Sequence, residues 1–307
     1  MATTLTEMAK LSNDVLLQGI VETIIKDSPL LQKMPFIEIV GNALTYNREL
    51  TLPAAEWHAA NDDWATSPAI TFSQQTATLK ILGQNADVDN YVKQTRSNVQ
   101  DVEAAIIELT AKAVRHELEE AFLYGDDSAD ANQFDGLRNI INTASAGAQL
   151  ITMGASGATL TLAKIDELID LIKGGKPDLL VMSRRSRRKI NALARAAGNN
   201  LEVGQGLLGE FVQLYNGIPI AVSDFQLDTH TVASSVETAT TGASNSVIYA
   251  VQFGENGLCG LTSPGGLQVE AVGPMESKDA VRTRIKWYVS LALFSQVKAG
   301  ALIGVQD

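Results

Sequence analysis

The chain has 307 residues, 45% of them hydrophobic, and 24 Lys and Arg against 35 Asp and Glu give a formal net charge of -11. That apolar content is enough to bury a core and excludes a disordered protein, while the acidic balance excludes a surface that as a whole grips nucleic acid or an anionic membrane. One cysteine, Cys259, and three histidines exclude an internal disulfide and argue against a His/Cys metal cluster.

Residues 1–10 lack the basic start and apolar core of a signal peptide, and no run of about 18 apolar residues occurs anywhere, so a soluble cytoplasmic protein is expected. Residues 1–35 place Leu16, Ile20, Ile24 and Ile25 at helical spacing ahead of Pro29 and Pro35. This is an arm with too few large apolar residues to close a core. Its apolar side must lie on the body of its own chain or on a neighbour.

Residues 45–92 read as two strand-like limbs, YNREL and ITFSQQTATLKILGQNADVDNYVKQ, around the polar tip PAAEWHAANDDWATSP. Thr76, Thr78, Lys80 and Leu82 alternate with Ala77, Leu79, Ile81 and Gly83, and Ala86, Val88 and Asn90 continue the alternation. That predicts a long ribbon without a continuous apolar face. A lone hairpin is marginal in water, so stabilisation by another subunit is expected, with a flap over an enzyme cleft as the alternative. Trp57 and Trp64 at the tip read as anchors on a partner protein, where Trp is enriched among residues that carry binding energy. His58 has no Asp and Ser or Cys partner at a recognisable spacing, which argues against catalysis.

Residues 97–124, SNVQDVEAAIIELTAKAVRHELEEAFLY, predict the longest helix. Val99, Val102, Ile106, Leu109 and Ala113 form its expected apolar stripe, continued by Leu118 and Phe122. Ser97 with Gln100 fits a capping box, and Gly125 supplies the stop. At 1.5 Å per residue the rod is roughly 40 Å long, more than one compact core needs. After it, Asp126, Asp127, Asp130 and Asp135 lack the order of a calcium loop and read as turn formers.

Residues 160–225 alternate helix and strand: LTLAKIDELIDLIK, then DLLVMS, then SRRSRRKINALARAAG, then GIPIAVSD, a small α/β layer. The basic cluster Arg184, Arg185, Arg187, Arg188 and Lys189 falls in the first turns of a helix, against the positive end of its dipole, so something acidic should face it. The options are a carboxylate patch of an adjoining subunit, a solvated face, or nucleic acid. Residues 228–246 read as an exposed loop and GENGLCGLTSPGG as turns. SVIYAVQF, GLQVEAVG, AVRTRIKWYVSLALFSQ and ALIGV read as strands that return to the helix and the layer. Cys259 reads as a small buried hydrophobe.

No catalytic signature, phosphate loop or dinucleotide fingerprint is present in the sequence. No enzyme, cofactor or metal is therefore expected. ATLKILGQNADVDNYVKQ entering the helix, AFLYGDDSADANQFDGL leaving it, PDLLVMSRRSRRKI and GIPIAVSD, in this order and spacing, resemble the major capsid proteins of tailed bacteriophages, the Hong Kong 97 type. The resemblance covers nearly the whole chain. It implies an α+β fold with an N-terminal arm at 1–40, an E-loop β-ribbon at 41–92, and a long-helix P domain at 93–149 with return strands at 261–290. The A domain would hold the α/β layer at 150–260 and a C-terminal segment at 291–307.

It further implies pentamers and hexamers that close into an icosahedral shell around double-stranded DNA, contacted weakly and without sequence preference. The shell would be assembled in the host cytoplasm, with no membrane involved. Trp57, Trp64, Arg184, Arg185, Arg187 and Arg188 become candidates for contacts between subunits. The ribbon tip has no lysine, and the nearest, Lys80, lies down the returning limb, so no covalent cross-link of the shell is expected. The chain begins almost directly with its arm, so a separate scaffolding protein is expected beside a portal and a possible cement protein. An encapsulin shell around protein cargo is the alternative of the same fold.

Overall fold

Two sheets and one long helix share one apolar cluster, and a second fills the other face of the larger sheet. The computed structural model describes residues 30, 33–51, 53, 55–63, 70–96, 102–144, 148–154, 156–198, 202–205, 211–233, 236–239 and 245–306. In chain order these form β1 (Phe36–Glu38), β2 (Ala43–Thr51), β3 (Thr71–Thr78), β4 (Lys80–Asp89), α1 (Asn90–Arg96), the long helix α2 (Val102–Tyr124) and α3 (Leu137–Ala144). Next come β5 (Leu150–Thr152), β6 (Ala158–Thr159), α4 (Leu162–Leu171), β7 (Leu179–Met182), α5 (Arg184–Ala196), β8 (Glu202–Gln205), β9 (Phe211–Tyr215) and β10 (Ile218–Val222). The chain ends through β11 (His230–Ala233), β12 (Val236–Ala239), β13 (Ser246–Val251), β14 (Leu258–Thr262), β15 (Gln268–Pro274), β16 (Ala280–Leu293) and β17 (Ala299–Gln306).

The larger sheet runs β5-β17-β13-β7-β10-β9-β8, with β6 also on β17. Its central strands are apolar on both faces because both are covered. Leu180 and Met182 of β7 point to one side and pack with Ile165 and Leu168 of α4 and Ile190 of α5. Leu179 and Val181 point to the other and join the cluster that includes Val114, Leu118 and Phe122 of α2. The smaller sheet is built on β16, which is bordered by β14 and β15 on one side and β4 on the other, while β1 runs parallel to β14. Ala86 and Val88 of β4, together with Ile285 and Val289 of β16, enter the same cluster as α2.

The apolar stripe of α2 differs from the sequence expectation. Its buried side carries Ile107, Ala111, Val114, Leu118 and Phe122, whereas Leu109 is 53% exposed and Ala113 lies on the surface. Adjacent Ile106 and Ile107 fit either of two stripes, and the packing of β4 on the helix selects the second. Ser97, Gln100 and Val99 lie outside the described residues, as do Leu16, Ile20, Ile24, Ile25 and Pro29 of the arm. At the end of the arm, Leu30 and Met34 are buried in the core of their own chain.

Three further readings are corrected. The expected long ribbon ends at Thr78, because β4 pairs with β16 from Asp89↔Ala280 to Lys80↔Val289 and buries Ala86 and Val88. Small side chains sufficed there because they meet a helix directly. Within the glycine-rich stretch read as turns, Leu258–Thr262 is a fully buried strand. A Cβ at Gly260 would lie 2.5 Å from Cε1 of Phe36, so this glycine makes room for the ring that seats the arm's exit. The stretch read as an exposed loop holds the β11–β12 hairpin, with His230 fully buried and its Nε2 3.0 Å from the hydroxyl of Tyr124.

Gly125 does stop α2, through a close approach rather than a left-handed cap. A Cβ there would stand 2.3 Å from the Phe134 carbonyl oxygen and 2.6 Å from that of Ala121, and the Gly136 N–H donates to the Gly125 oxygen at 2.8 Å. The glycines of YGD and FDGL are thus the two halves of one backbone contact. Gly125→Ala should force these segments apart and destabilise the subunit by about 1–3 kcal/mol, the usual cost of overpacking, read as a lowered midpoint in urea. An unchanged midpoint would mean that the contact yields freely.

Across the β4–β16 pairing, Arg282 donates to Asp87 through Nε at 2.6 Å and Nη2 at 2.8 Å. The guanidinium holds the Asp87 carboxyl below its ordinary value. A lowered carboxyl stabilises the fold fully above the unfolded pKa of about 3.9 and loses that contribution as pH falls through the lower folded value. Asp87→Asn should therefore lower the melting temperature most above pH about 5 and converge with the parent chain at strongly acid pH. A gap that stays constant with pH would contradict the assignment.

Candidate inter-subunit surfaces

The β2–β3 hairpin has two unlike faces. Leu44, Tyr46 and Arg48 of β2, with Ser73, Gln75 and Ala77 of β3, turn toward the body and are buried or half-buried. Thr45, Asn47, Glu49, Phe72, Gln74 and Thr76 turn to solvent. The hairpin forms a two-stranded sheet of its own, so among the described residues both its outer edges lack a neighbouring strand. A pair of strands with a polar outer face and open edges gains little from its own chain.

At its root the hairpin is held by Tyr46 and Arg48. The Arg48 side chain is buried, and its Nε donates to the carbonyl oxygen of Phe294 at 3.1 Å while Nη2 donates to that of Leu293. The Tyr46 hydroxyl donates to the same Leu293 oxygen at 3.0 Å, and its ring meets Phe294 edge-on at 4.9 Å between centroids. Burial raises the Tyr46 phenol pKa above its ordinary value, with the nearby guanidinium opposing the rise. These two residues cap the carbonyls at the end of β16. Sequence reasoning missed them, although the i, i+2 spacing of Leu44, Tyr46 and Arg48 marks one face of a strand.

Trp57 sits at the tip, fully exposed, with 103% of its reference surface free. Trp64 lies outside the described residues.

The four arginines fall in the first turns of α5, which Ser183 caps by accepting from the Ser186 N–H at 3.2 Å. Arg184 and Arg188 are exposed, and Arg185 and Arg187 are half-buried. Arg184 meets Asp224, just beyond β10, through Nε to Oδ1 and through Nη2 to Oδ2 at 2.6 Å. An acidic group therefore does face the cluster at Arg184, and it comes from the same chain. The pair is largely exposed, so its worth is small.

The acidic turn after α2 is occupied by its own backbone. Asp126 accepts from the Ser128 N–H at 2.9 Å, Asp130 from that of Asn132 at 2.9 Å, and Asp135 from that of Asp127 at 3.1 Å. Among the described residues no group of three or more His, Cys, Asp or Glu is placed to hold a metal ion, and no helix is long and apolar enough to cross a membrane. Cys259 is fully buried, and burial raises its thiol pKa.

No curated protein is similar to the chain in sequence. Among solved structures, the chain is similar to the SrpI encapsulin of Synechococcus elongatus PCC 7942 in its holo complex, with TM-score 0.69, 16% identity and 96% of each chain covered. It is also similar to the capsid of an empty GTA particle, with TM-score 0.66, 16% identity, and 100% of this chain and 96% of that one covered. A chain of Microbacterium phage Oxtober96 matches with TM-score 0.62 and 16% identity over 91% of both chains. Identities this low show the fold alone. Residues 11–249 match the family model described as the phage capsid family. That match spans most of the chain, and the chain belongs to the phage capsid family as a shell subunit of mixed α+β, Hong Kong 97-type fold.

Proposed function

We propose that copies of this chain associate as pentamers and hexamers into an icosahedral shell, and that the shell encloses double-stranded phage DNA. The observation that carries this reading is the hairpin. It projects with a polar outer face, open edges and an exposed Trp57, while the body behind it has a continuous core. Under this reading 1–40 is the arm, 41–92 the E-loop ribbon, 93–149 and 261–290 the P domain, and 150–260 with 291–307 the A domain. Strand β4 is then shared between the ribbon and the P domain sheet.

Trp57, Trp64, Arg185, Arg187 and Arg188 are the proposed contacts between subunits, with Arg184 tied first to its own Asp224. The role is structural and needs no cofactor. A net charge of -11 favours weak, non-specific contact with packaged DNA, since an acidic lining does not grip phosphates. Scaffolding, portal and cement proteins are the further partners this reading names, with assembly in the host cytoplasm. The likeness to an encapsulin favours a second reading, a shell around protein cargo.

Negative-stain microscopy and sedimentation of the purified chain should show large assemblies of many copies, which a scaffolding protein would make uniform in size and closed. A monodisperse small oligomer would overturn the shell reading, and native particles that hold an enzyme and no genome would select the second reading. Trp57→Ala should raise the concentration needed for assembly at least tenfold, a loss of about 1.4 kcal/mol per contact, with subunit folding intact. Equal assembly by the variant would remove Trp57 from the contact set.

A further inference from the structure

We propose that Tyr46 and Arg48 form a pivot that fixes the direction in which the hairpin leaves the body, and that this fixing occurs within one chain, before any neighbour arrives. The inference goes beyond the shell reading and rests on one copy alone. The hairpin joins the body through two short connections. On the β2 side these are residues 40–42, where Val40 is 95% exposed and Gly41 has φ 130° with open space around it. On the β3 side Leu79 alone separates β3 from β4, its N–H donating to the Asn42 oxygen at 2.8 Å. Both strands change sheets at this level, so the backbone can bend here while β1 and β4 stay fixed in the smaller sheet.

The space beside the clamp is open. One cleft of about 250 Å³ lies between the hairpin and α3, bordered by Tyr46, Arg48, Thr78, Asp135, Ile140 and Leu291. A second of about 490 Å³ is bordered by Asn47, Glu49, Glu255, Phe294 and Val297. Tyr46 and Arg48 border both. The hairpin's inward face is thus only partly filled around these two side chains, and the support they give is a directional one. A planar guanidinium reaching two successive carbonyl oxygens fixes an angle as well as a distance, which a point-charge ammonium does not. Below it, Lys80 Nζ donates to Asp127 Oδ1 at 2.8 Å and to the Ala131 oxygen at 2.7 Å, so the first residue of β4 is tied to the turn after α2.

Burial also makes the pivot hard to release. With Arg48 drawn away, the Leu293 oxygen keeps the Tyr46 hydroxyl as a side-chain donor, and the Phe294 oxygen loses the Arg48 donor.

The test is a distance measurement between spin labels on the full-length chain, at Glu56→Cys on the tip and Asp170→Cys on α4, both exposed positions. Labelled chain is diluted into excess unlabelled chain so that only distances within one copy are read. Buried Cys259 does not compete for label. The parent chain should give one narrow distribution. Arg48→Lys, which keeps the charge and loses the fork, should broaden it at least twofold, and Arg48→Ala further, while amide protection of β13 and β17 is unchanged. If Arg48→Ala does not fold, the lysine variant and Tyr46→Phe carry the test. Distributions as narrow as the parent's in folded variants would overturn the proposal, as would a lowered melting temperature without broadening, which assigns Arg48 to stability alone.

Discussion

The rest of the molecule depends on one apolar contact surface, the side of α2 that carries Ile107, Ala111, Val114, Leu118 and Phe122. Through it a single cluster extends from Val88 in the smaller sheet to Tyr249 and Ile303 in the larger one. Large buried side chains each contribute roughly 1.5–3 kcal/mol relative to exposure, and losing a side chain from the middle of this surface would weaken both sheets together. The helix is long because it has two sheets to serve. Its end is held as tightly as its middle, by Gly125 against Gly136 and by the Tyr124 hydroxyl, which accepts from the Leu227 N–H at 3.1 Å.

Against that body the β2–β3 hairpin is chemically different. Its inward face reaches only a small cluster around Ile39, Leu261 and Ala292, with Leu44, Tyr46, Ala77 and Phe294 packed beside it. Outward it offers threonine, asparagine and glutamine, with Phe72 64% exposed near the tip. Such a surface keeps the strands polar in a free subunit while Trp57, Ile70 and Phe72 stay exposed toward the tip, where a partner can cover them. Polarity along the strands and exposed aromatics at the end divide two tasks, staying dissolved and binding.

Much of this was legible in the sequence where one element suffices to make the pattern. The apolar runs DLLVMS, SVIYAVQF and ALIGV read as strands and lie within or around buried ones, and periodicity marked α4 and α5. What stayed hidden depends on partners distant along the chain. The division of the returning limb into β3 and β4 is set by β16, some two hundred residues later, as the Asp87 and Arg282 pair shows. Arg48 was invisible for a related reason: its acceptors are backbone carbonyls, which carry no sequence signature. The Arg184 cluster was legible as a cluster, while its carboxylate, Asp224, becomes a neighbour only when β10 pairs in parallel with β7.

The central claim is that the body is complete within one chain while the hairpin awaits another copy. Hydrogen exchange by mass spectrometry, on dissociated subunits and on assembled shells, tests it most directly. The account predicts that α2, β13 and β17 are protected in both, and that β2 beyond Arg48 and β3 before Ser73, outside the clamp at the root, exchange rapidly in the subunit and slowly in the shell. Equal protection of β2 and β3 in the two states would contradict it.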